Sequence, residues 1–388
     1  MSDASATRLG LAGGVATLLG IGMARFAYTP LIPALVEAGW FSAHAAAYLG
    51  AINLLGYLVG AAIAHRATLM FGVRAVLAAA LAVTVASLFA CALDWGVYWY
   101  GFWRLACGVS GAVLVVVGAP AALSRVAPGE RARTGALVFT GIGLGVAASG
   151  TLVPWLADFG VAAAWLALAV VSAVLALWSW AVAWRDLAAL PEPAADERAA
   201  AALPLTAILL VIAAYGLDAV GFVPHTLFWV DYIARELGQG LAAGSGYWVV
   251  LGLGAMCGPV AAGWLAARLG FRPALTLALA IKALAVALPL VSTSMAALGL
   301  SSFLVGLLIP GTVTLTSGSI AALTPAARQQ QFWGWATLGF ALAQAVGAYG
   351  MSWGYERLGS YLPLFGLACV ALVLATLSAA AAAIRSTP

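Results

Sequence analysis

Apolar runs of 20 or more residues recur along the whole chain, with only short polar turns between them. A helix needs roughly 20 apolar residues to cross the hydrocarbon core of a bilayer, so each run is long enough to span it. Only 8% of the residues are charged, against about 25% in soluble domains. Apolar and polar residues do not strictly alternate within the runs, which favours helices over a barrel. The predicted crossings are 9–36, 45–64, 73–93, 97–121, 134–156, 161–184, 203–232, 244–265, 273–292, 296–320, 330–353 and 361–384.

The basic residues are unevenly distributed between the two ends of this predicted bundle. Most of the 17 lysines and arginines fall on the side of the N terminus, and positively charged turns stay in the cytoplasm. We therefore expect a multi-pass protein of the bacterial inner (plasma) membrane with both termini in the cytoplasm. The net charge of +4 follows from this topology and does not indicate a nucleic-acid partner.

The first half of the chain resembles the second. A shift of 198 positions aligns six glycine pairs, where chance would align only about two or three. The pairs are Gly56 and Gly254, Gly60 and Gly258, Gly72 and Gly270, Gly101 and Gly299, Gly108 and Gly306, and Gly141 and Gly339. We predict an N-terminal six-helix bundle over 1–184, a cytoplasmic linker over 185–202 and a C-terminal six-helix bundle over 203–388. Parallel repeats of this kind hold the substrate site between the halves, near mid-membrane.

Two turns of the chain resemble a known loop signature. The sequence GWLAARLGFR at 263–272 is similar to the cytoplasmic loop of the major facilitator superfamily, with Ala267 in place of the signature Asp. The corresponding turn of the first half retains only Gly-Val-Arg at 72–74. The resemblance implies that these turns act as gating loops. The residues concerned are Gly72, Arg74, Gly263, Arg268, Gly270 and Arg272.

The resemblance extends over almost the whole chain. The segment at 22–30, GMARFAYTP, closely resembles the first helix of the YbfB/YjiJ-like branch of the superfamily. Arg104, followed by Gly108 and Gly111, resembles the helix 4 signature. The resemblance implies an all-α membrane protein with 12 transmembrane helices in two pseudo-symmetric bundles. It also implies secondary transport, with an inward-facing Arg104 that is important for proton coupling, and leaves the substrate open. A structural hydrogen bond from Arg104 to backbone carbonyls is the other role that remains open for this residue.

Arg25 lies in the middle of the first predicted crossing. An arginine there costs roughly 2.5–3.5 kcal/mol on insertion scales, so it is tolerated only where it faces a cavity or a partner. Residues that weaken the helix surround it, as expected where a membrane helix bends beside a binding site. They are Gly20, Gly22, Pro30 and Pro33. Two roles for Arg25 remain open: holding an anionic group of the substrate, or forming a fixed ion pair with an acid elsewhere.

One face of the predicted helix 203–232 combines aromatic, acidic and imidazole groups. Its members recur at spacings of 3, 4, 3 and 4: Tyr215, Asp218, Phe222, His225 and Trp229. We hypothesise that Asp218 meets Arg25 across the two halves and loads a proton, and that the substrate competes with Asp218 for Arg25. The alternative is a static pair that locks the helices together. His225 is interpreted either as a proton relay or as a hydrogen-bonded wall of the cavity.

Further polar groups within predicted helices complete the candidate site. Lys282 is interpreted first as structural and second as cavity-lining. We predict proton coupling by Asp218 and Arg104. The predicted substrate-binding residues are Arg25, Tyr28, Asn53, Arg104, Tyr215, Asp218, Phe222, His225, Trp229 and Gln344.

Several chemistries are excluded by missing motifs. The chain has no phosphate-binding Gly-x-x-x-x-Gly-Lys-Ser/Thr loop, and its three histidines are widely spread, so we expect no ATP-driven step, metal or cofactor. We predict a monomeric secondary transporter, not an enzyme, that moves a small solute with an anionic group and uses protons as coupling ion. The alternatives are a proton-driven multidrug or metabolite exporter and, from another class, a membrane sensor or membrane-embedded enzyme.

Overall fold

The computed structural model describes residues 3–127, 130–185, 187 and 203–384, and the regular elements among them are all helices. The predicted linker over 185–202 therefore lies, apart from Arg185 and Leu187, outside the described residues. The long helices are α1 (Ala6–Glu37), α2 (Ala43–Ala90), α3 (Gly96–Leu123), α4 (Arg133–Ala157), α5 (Val161–Trp184), α6 (Leu205–Glu236), α7 (Gly240–Leu269), α8 (Phe271–Val291), α9 (Met295–Leu323), α10 (Ala326–Leu358) and α11 (Leu362–Ile384).

The helices follow the predicted crossings in order. Helix α2 has 48 residues and is broken at Gly72, so its two arms, 43–71 and 73–90, take the places of the second and third crossings. In the described part of the chain, ten helices are long and apolar enough to span a bilayer. Helix α10 has 33 residues and takes the place of the eleventh crossing, but it is not among those ten. Its passage through the membrane stays a prediction, and with it the full count of twelve.

The internal repeat is confirmed by the contacts of its glycines. A side chain at Gly56 would collide with the carbonyl of Leu105 in α3, and one at Gly254 would collide with the carbonyl of Phe303 in α9. Both members of the second contact are 198 positions beyond those of the first. Gly60 and Gly258 repeat the relation one turn further along, against the carbonyls of residues 109 and 307. In each half, two helices therefore cross with their backbones in close contact, as small residues allow in membranes.

The repeat is also present in the backbone of the predicted gating loops. Gly72 has φ 78° and ψ 154°, and Gly270, 198 positions later, has φ 81° and ψ 160°. This region of backbone conformation is open almost only to glycine. The same sharp reversal therefore joins two helices in each half, and it explains why glycine occupies both positions.

The two halves meet along two seams. In one, Gly143 and Ala147 of α4 lie against Met256 and Gly252 of α7. The other joins α2 to α10. Helix α4 is the fifth helix of the first half, and α7 is the second helix of the second half. At the other seam, the first arm of α2 is the second helix of the first half, and α10 is the fifth helix of the second half. The seams are therefore related by the same pseudo-symmetry as the halves.

Candidate functional site

The middle of α1 is a π-helix. Over Leu18–Phe26 the turn is wider than in an α-helix, and the N–H of Ala27 donates to the carbonyl of Gly22, five residues back, at 2.8 Å. π-Helical turns are frequent at functional sites. Here the widened turn leaves the carbonyl of Ala24 available to neighbouring helices and carries Arg25 next to it.

Arg25 links the two halves of the protein through one hydrogen bond. Its Nη1 donates to Oε1 of Gln344 in α10 at 3.0 Å, and its guanidinium lies 4.9 Å from the ring centre of Phe26. The other terminal nitrogen, Nη2, is buried and has no partner, and neither has Nε2 of Gln344. Arg25 forms no ion pair with any carboxylate of the described residues. The site therefore offers two free donors beside a positive charge.

Arg104 is held differently, by the carbonyl that the π-helix exposes. Its Nη1 donates to the Ala24 carbonyl at 2.9 Å, and its guanidinium lies 4.2 Å from the ring centre of Tyr28. Asn53 donates from Nδ2 to the same Ala24 carbonyl at 3.3 Å and to the Arg104 carbonyl at 2.9 Å. Arg104 is only 1% exposed and keeps Nε unpartnered. These bonds join α1, α2 and α3 at mid-length.

Arg25 and Arg104 border one small gap in the middle of the protein. It has room for about one water molecule. The lining residues are Arg25, Gly50, Asn53, Leu54, Arg104, Thr226 and Leu227. Two cations thus face a common space, and the described residues supply no carboxylate as counter-ion to either of them.

Asp218 does not pair with Arg25, so the predicted contact between them is wrong. The carboxylate lies within the second half, where Nζ of Lys282 donates to its two oxygens at 2.7 and 3.1 Å. The Thr312 hydroxyl is a further neighbour, 2.9 Å from Oδ2. Asp218 and Lys282 are fully buried. The buried partner is the lysine of α8 because α6, α8 and α9 pack together at this level.

Aromatic rings lie between this ion pair and Gln344. The Lys282 ammonium lies 5.0 Å from the ring centre of Phe222, and Phe222 lies 5.9 Å from Phe340 of α10. Tyr215 lies 4.4 Å from Phe340, centre to centre, and is stacked on Trp333 at 5.8 Å. Phe340 precedes Gln344 by one helical turn. Tyr215 and Phe222, which share a face of α6 as predicted, therefore lie between the ion pair and the Gln344 amide that bonds Arg25.

His225 and Trp229 face the interior of the second half. His225 is stacked on Trp229 with ring centres 4.2 Å apart, and its Nε2 lies 2.8 Å from the Ser301 hydroxyl. The Trp229 indole donates to Ser302 at 2.9 Å. Both rings are fully buried against α9 and α11. The structure does not bring them to Arg25, and their predicted contact with substrate stays a prediction.

The end of the bundle away from the N terminus is closed. The Thr29 hydroxyl of α1 donates to the Thr226 carbonyl of α6 at 2.5 Å, and the Tyr48 hydroxyl of α2 donates to Oε2 of Glu356 in α10 at 2.7 Å. On α6, residues 221–234 are all buried. On the N-terminal side, by contrast, the half-buried Ile21 of α1 lies one turn before the half-buried Arg25. The bundle is therefore shut by side-chain and backbone contacts at the end away from the N terminus.

A buried carboxylate that sequence reasoning missed organises the closed end. Asp231 accepts hydrogen bonds from Nε and Nη2 of Arg235 at 2.5 and 2.6 Å and from the Tyr361 hydroxyl. Burial, followed by the charge of Asp231, raises the pKa of Tyr361 well above its usual value, so this hydroxyl remains a donor. The spacing of four between Asp231 and Arg235 was the available signal, because such pairs share a helix face.

The cations of the gating loops stack on neighbouring indoles. The Arg74 guanidinium lies 5.7 Å from the ring centre of Trp180, and that of Arg268 lies 4.0 Å from Trp264. Nη1 of Arg272 is buried without a partner. Gly263 has open space around it. A gating role for these residues stays a prediction.

Comparison with known proteins decides the family. Residues 17–380 match a family model described as "Uncharacterised MFS-type transporter YbfB", where MFS stands for major facilitator superfamily. The chain belongs to this family. It is a multi-pass membrane transporter and not an enzyme, and the resemblance noted in its sequence is confirmed.

A solved structure supports the same fold. The crystal structure of a D-xylose-proton symporter superposes on this transporter with a TM-score of 0.77, and the similarity covers 96% of each chain. Sequence identity is 14%, so this similarity establishes the fold alone. No curated protein matches the transporter.

Proposed function

We propose that the transporter moves a small solute with an anionic group by alternating access, with protons as the coupling ion. The observation that carries this proposal is the pair of free donors, Arg25 Nη2 and Gln344 Nε2, beside a cation without a carboxylate partner. A buried donor without a partner costs about 1–3 kcal/mol. A carboxylate on the solute would bond both donors and balance the charge of Arg25.

The position of the two donors suits alternating access. Arg25 belongs to the first half and Gln344 to the second, so an anion bound to both connects the halves. A ligand shifts a conformational equilibrium only by the difference in its affinity for the two states. An anion that needs both halves has such a difference, because movement of one half against the other separates its two ligands. The contacts Thr29–Thr226 and Tyr48–Glu356 would be broken in the opposite state.

Asp218 is our candidate for the proton-coupling carboxylate. It is fully buried, and the Phe222 and Phe340 rings connect its partner Lys282 to Gln344. Movement of Gln344 on anion binding would thus reach the ion pair through packed side chains. The structurally similar protein is a D-xylose-proton symporter, which agrees with this proposal. Arg104 serves in it as a second cation bordering the anion site.

Export of cationic drugs is less well supported. It would require Asp218 to meet the cation, but both oxygens of that carboxylate already accept hydrogen bonds from Lys282. A cation entering from the open side would meet Arg25 first, and like charges repel. The geometry therefore favours an anion.

The proposal also fixes the orientation of the transporter in the membrane. We place the transporter in the bacterial inner membrane as a monomer, with both termini in the cytoplasm. The two moving bodies are then residues 1–184 and 203–388, with 185–202 as a tether. On this assignment the structure is open towards the cytoplasm and closed towards the outside.

Uptake by proteoliposomes tests the anion site. A panel of labelled organic anions is offered under an imposed pH gradient, with protein-free liposomes as the blank. We expect at least one anion to be accumulated by the wild type and lost in Arg25→Gln. Arg357→Gln is the matched control, because Arg357 is a cation at the closed end that stacks on Trp353. Equal uptake by wild type and Arg25→Gln would overturn the proposal.

Proton coupling is tested in the double variant Asp218→Asn/Lys282→Met, which removes both charges of the buried pair together and so leaves neither partner uncompensated. We expect it to exchange the anion down its own gradient but to lose accumulation driven by the pH gradient. If the double variant still accumulates the anion like the wild type, Asp218 is not the coupling residue.

A further inference from the structure

One face of α10 combines aromatic rings with the amide that bonds Arg25. Trp333, Thr337, Phe340 and Gln344 follow one another at spacings of 4, 3 and 4, so they form one stripe along the helix. The opposite face of α10 is the exposed, lipid-facing one. Its members are Trp335, Leu338, Leu342, Val346 and Trp353.

The stripe remains partly exposed although it faces the interior. Trp333, Thr337 and Phe340 are half-buried, and lipid cannot account for this, since lipid covers the other face of α10. Their exposed surface therefore borders the water-accessible space between the halves. Gln344, at the inner end of the stripe, is only 1% exposed. The amide and Arg25 thus lie at the closed inner end of a space whose approach is aromatic.

Rings from other helices complete this approach. Tyr215 of α6 packs on Trp333 and Phe340 with ring centres 5.8 and 4.4 Å away and interplanar angles of 27° and 30°, so the three rings form one aromatic stack. Tyr57 of α2, on the other half, is half-buried and lies near both Arg25 and Tyr215. Flat rings favour offset stacking with another ring. The approach therefore suits a flat, apolar body.

Hydrogen-bonding capacity along the stripe is low. The Thr337 hydroxyl already donates to the Trp333 carbonyl of its own helix at 2.9 Å. The other polar atoms of this approach are the Trp333 indole N–H and the Tyr57 and Tyr215 hydroxyls, too few to replace the water around a solute with many hydroxyls, and an unsatisfied polar group is costly to bury. The site thus combines one carboxylate-binding end with an apolar aromatic approach.

We propose that the solute is an aromatic monocarboxylate, bound with its carboxylate at Arg25 and Gln344 and its ring along Trp333, Phe340 and Tyr215. This inference rests on the proposed function and names the substrate class for the same site. The carboxylate supplies attraction, and the ring supplies the discrimination against aliphatic and hydroxylated acids.

Binding to the purified transporter tests the inference by isothermal titration calorimetry. The probes are benzoate, phenylacetate, acetate, gluconate and the uncharged benzamide. We expect the aromatic acids to bind at least about tenfold more tightly than acetate, gluconate or benzamide. Trp333→Leu and Phe340→Leu should reduce the preference for benzoate over acetate at least about threefold. Trp335→Leu, which changes a lipid-facing ring on the same helix, should leave the preference unchanged.

The outcomes separate this inference from the proposed function. If acetate and gluconate bind as tightly as benzoate, and Arg25→Gln weakens all three, the anion site stands and the aromatic class is overturned. If Arg25→Gln leaves benzoate binding unchanged, the anion site itself is overturned. Benzamide binding as tightly as benzoate would also contradict the inference, because the carboxylate would then contribute nothing. Circular dichroism spectra of all variants confirm that they are folded.

Discussion

The buried pair Asp218–Lys282 predicts a large and strongly non-additive effect on stability. Both side chains are at most 1% exposed, and Lys282 donates to both oxygens of the carboxylate. Removing one partner of a buried pair leaves an uncompensated charge, at a cost of about 3–5 kcal/mol. Replacing both partners with neutral side chains is close to neutral. Asp218→Asn and Lys282→Met should therefore each destabilise by about that amount, and the double variant by much less than their sum.

The free energy of unfolding of the four proteins, measured by denaturant titration in mixed micelles, closes a double-mutant cycle. We expect an interaction energy of about 3 kcal/mol or more, at the upper end of the range found for residues in contact. Phe222, which lies against the ammonium, is unchanged in all four and serves as a constant environment. Single variants that each lose under about 1 kcal/mol, with additive effects in the double variant, would refute the reasoning.

Three further predictions follow from the fold. Gly72→Ala and Gly270→Ala should each cost about 1–3 kcal/mol, since both positions have a backbone conformation open almost only to glycine; equal thermal stability of wild type and variants would contradict this. Ala147→Leu should slow uptake of the anion while leaving its binding intact, because Ala147 lies against Gly252 at the seam. Uptake rates are compared with affinities measured by calorimetry, and an unchanged uptake rate would contradict this prediction. Tyr48→Phe removes the hydrogen bond to Glu356 and should open the closed end more often. A cysteine introduced in place of a residue facing the anion site should then react faster with a membrane-impermeant thiol reagent.

The helical architecture was predictable because hydrophobic length is a local property. Each crossing corresponds to one continuous run of apolar residues, and the glycine repeat is visible as a regular spacing along the sequence. The equivalence of Gly56 and Gly254 needed only a comparison of the sequence with itself. Helix α10 was correctly placed in order, although its composition alone does not show that it crosses the membrane.

The partners of the charged residues were not predictable in the same way. That Asp218 bonds Lys282 rather than Arg25 depends on how α6 and α8 pack, and the sequence contains no local trace of that packing. Arg25 was identified as an inward-facing cation from its depth alone, but its partner Gln344 is 319 positions away. The π-helix of α1 was indicated only as a general weakness around Arg25, from its glycines and prolines. The aromatic stack of Tyr215 with Trp333 and Phe340 could be recognised only with both α6 and α10 in place.

The seam between α4 and α7 has a mechanical consequence. Gly143 and Ala147 meet Gly252 there, while Met256 lies against Gly143 and Trp248 against Gly150. The backbones of α4 and α7 therefore come closest at Gly252 and Ala147, with larger side chains above and below this point. The halves can turn against each other about this close approach, and bulk added at Ala147 should act as a brake on the rotation.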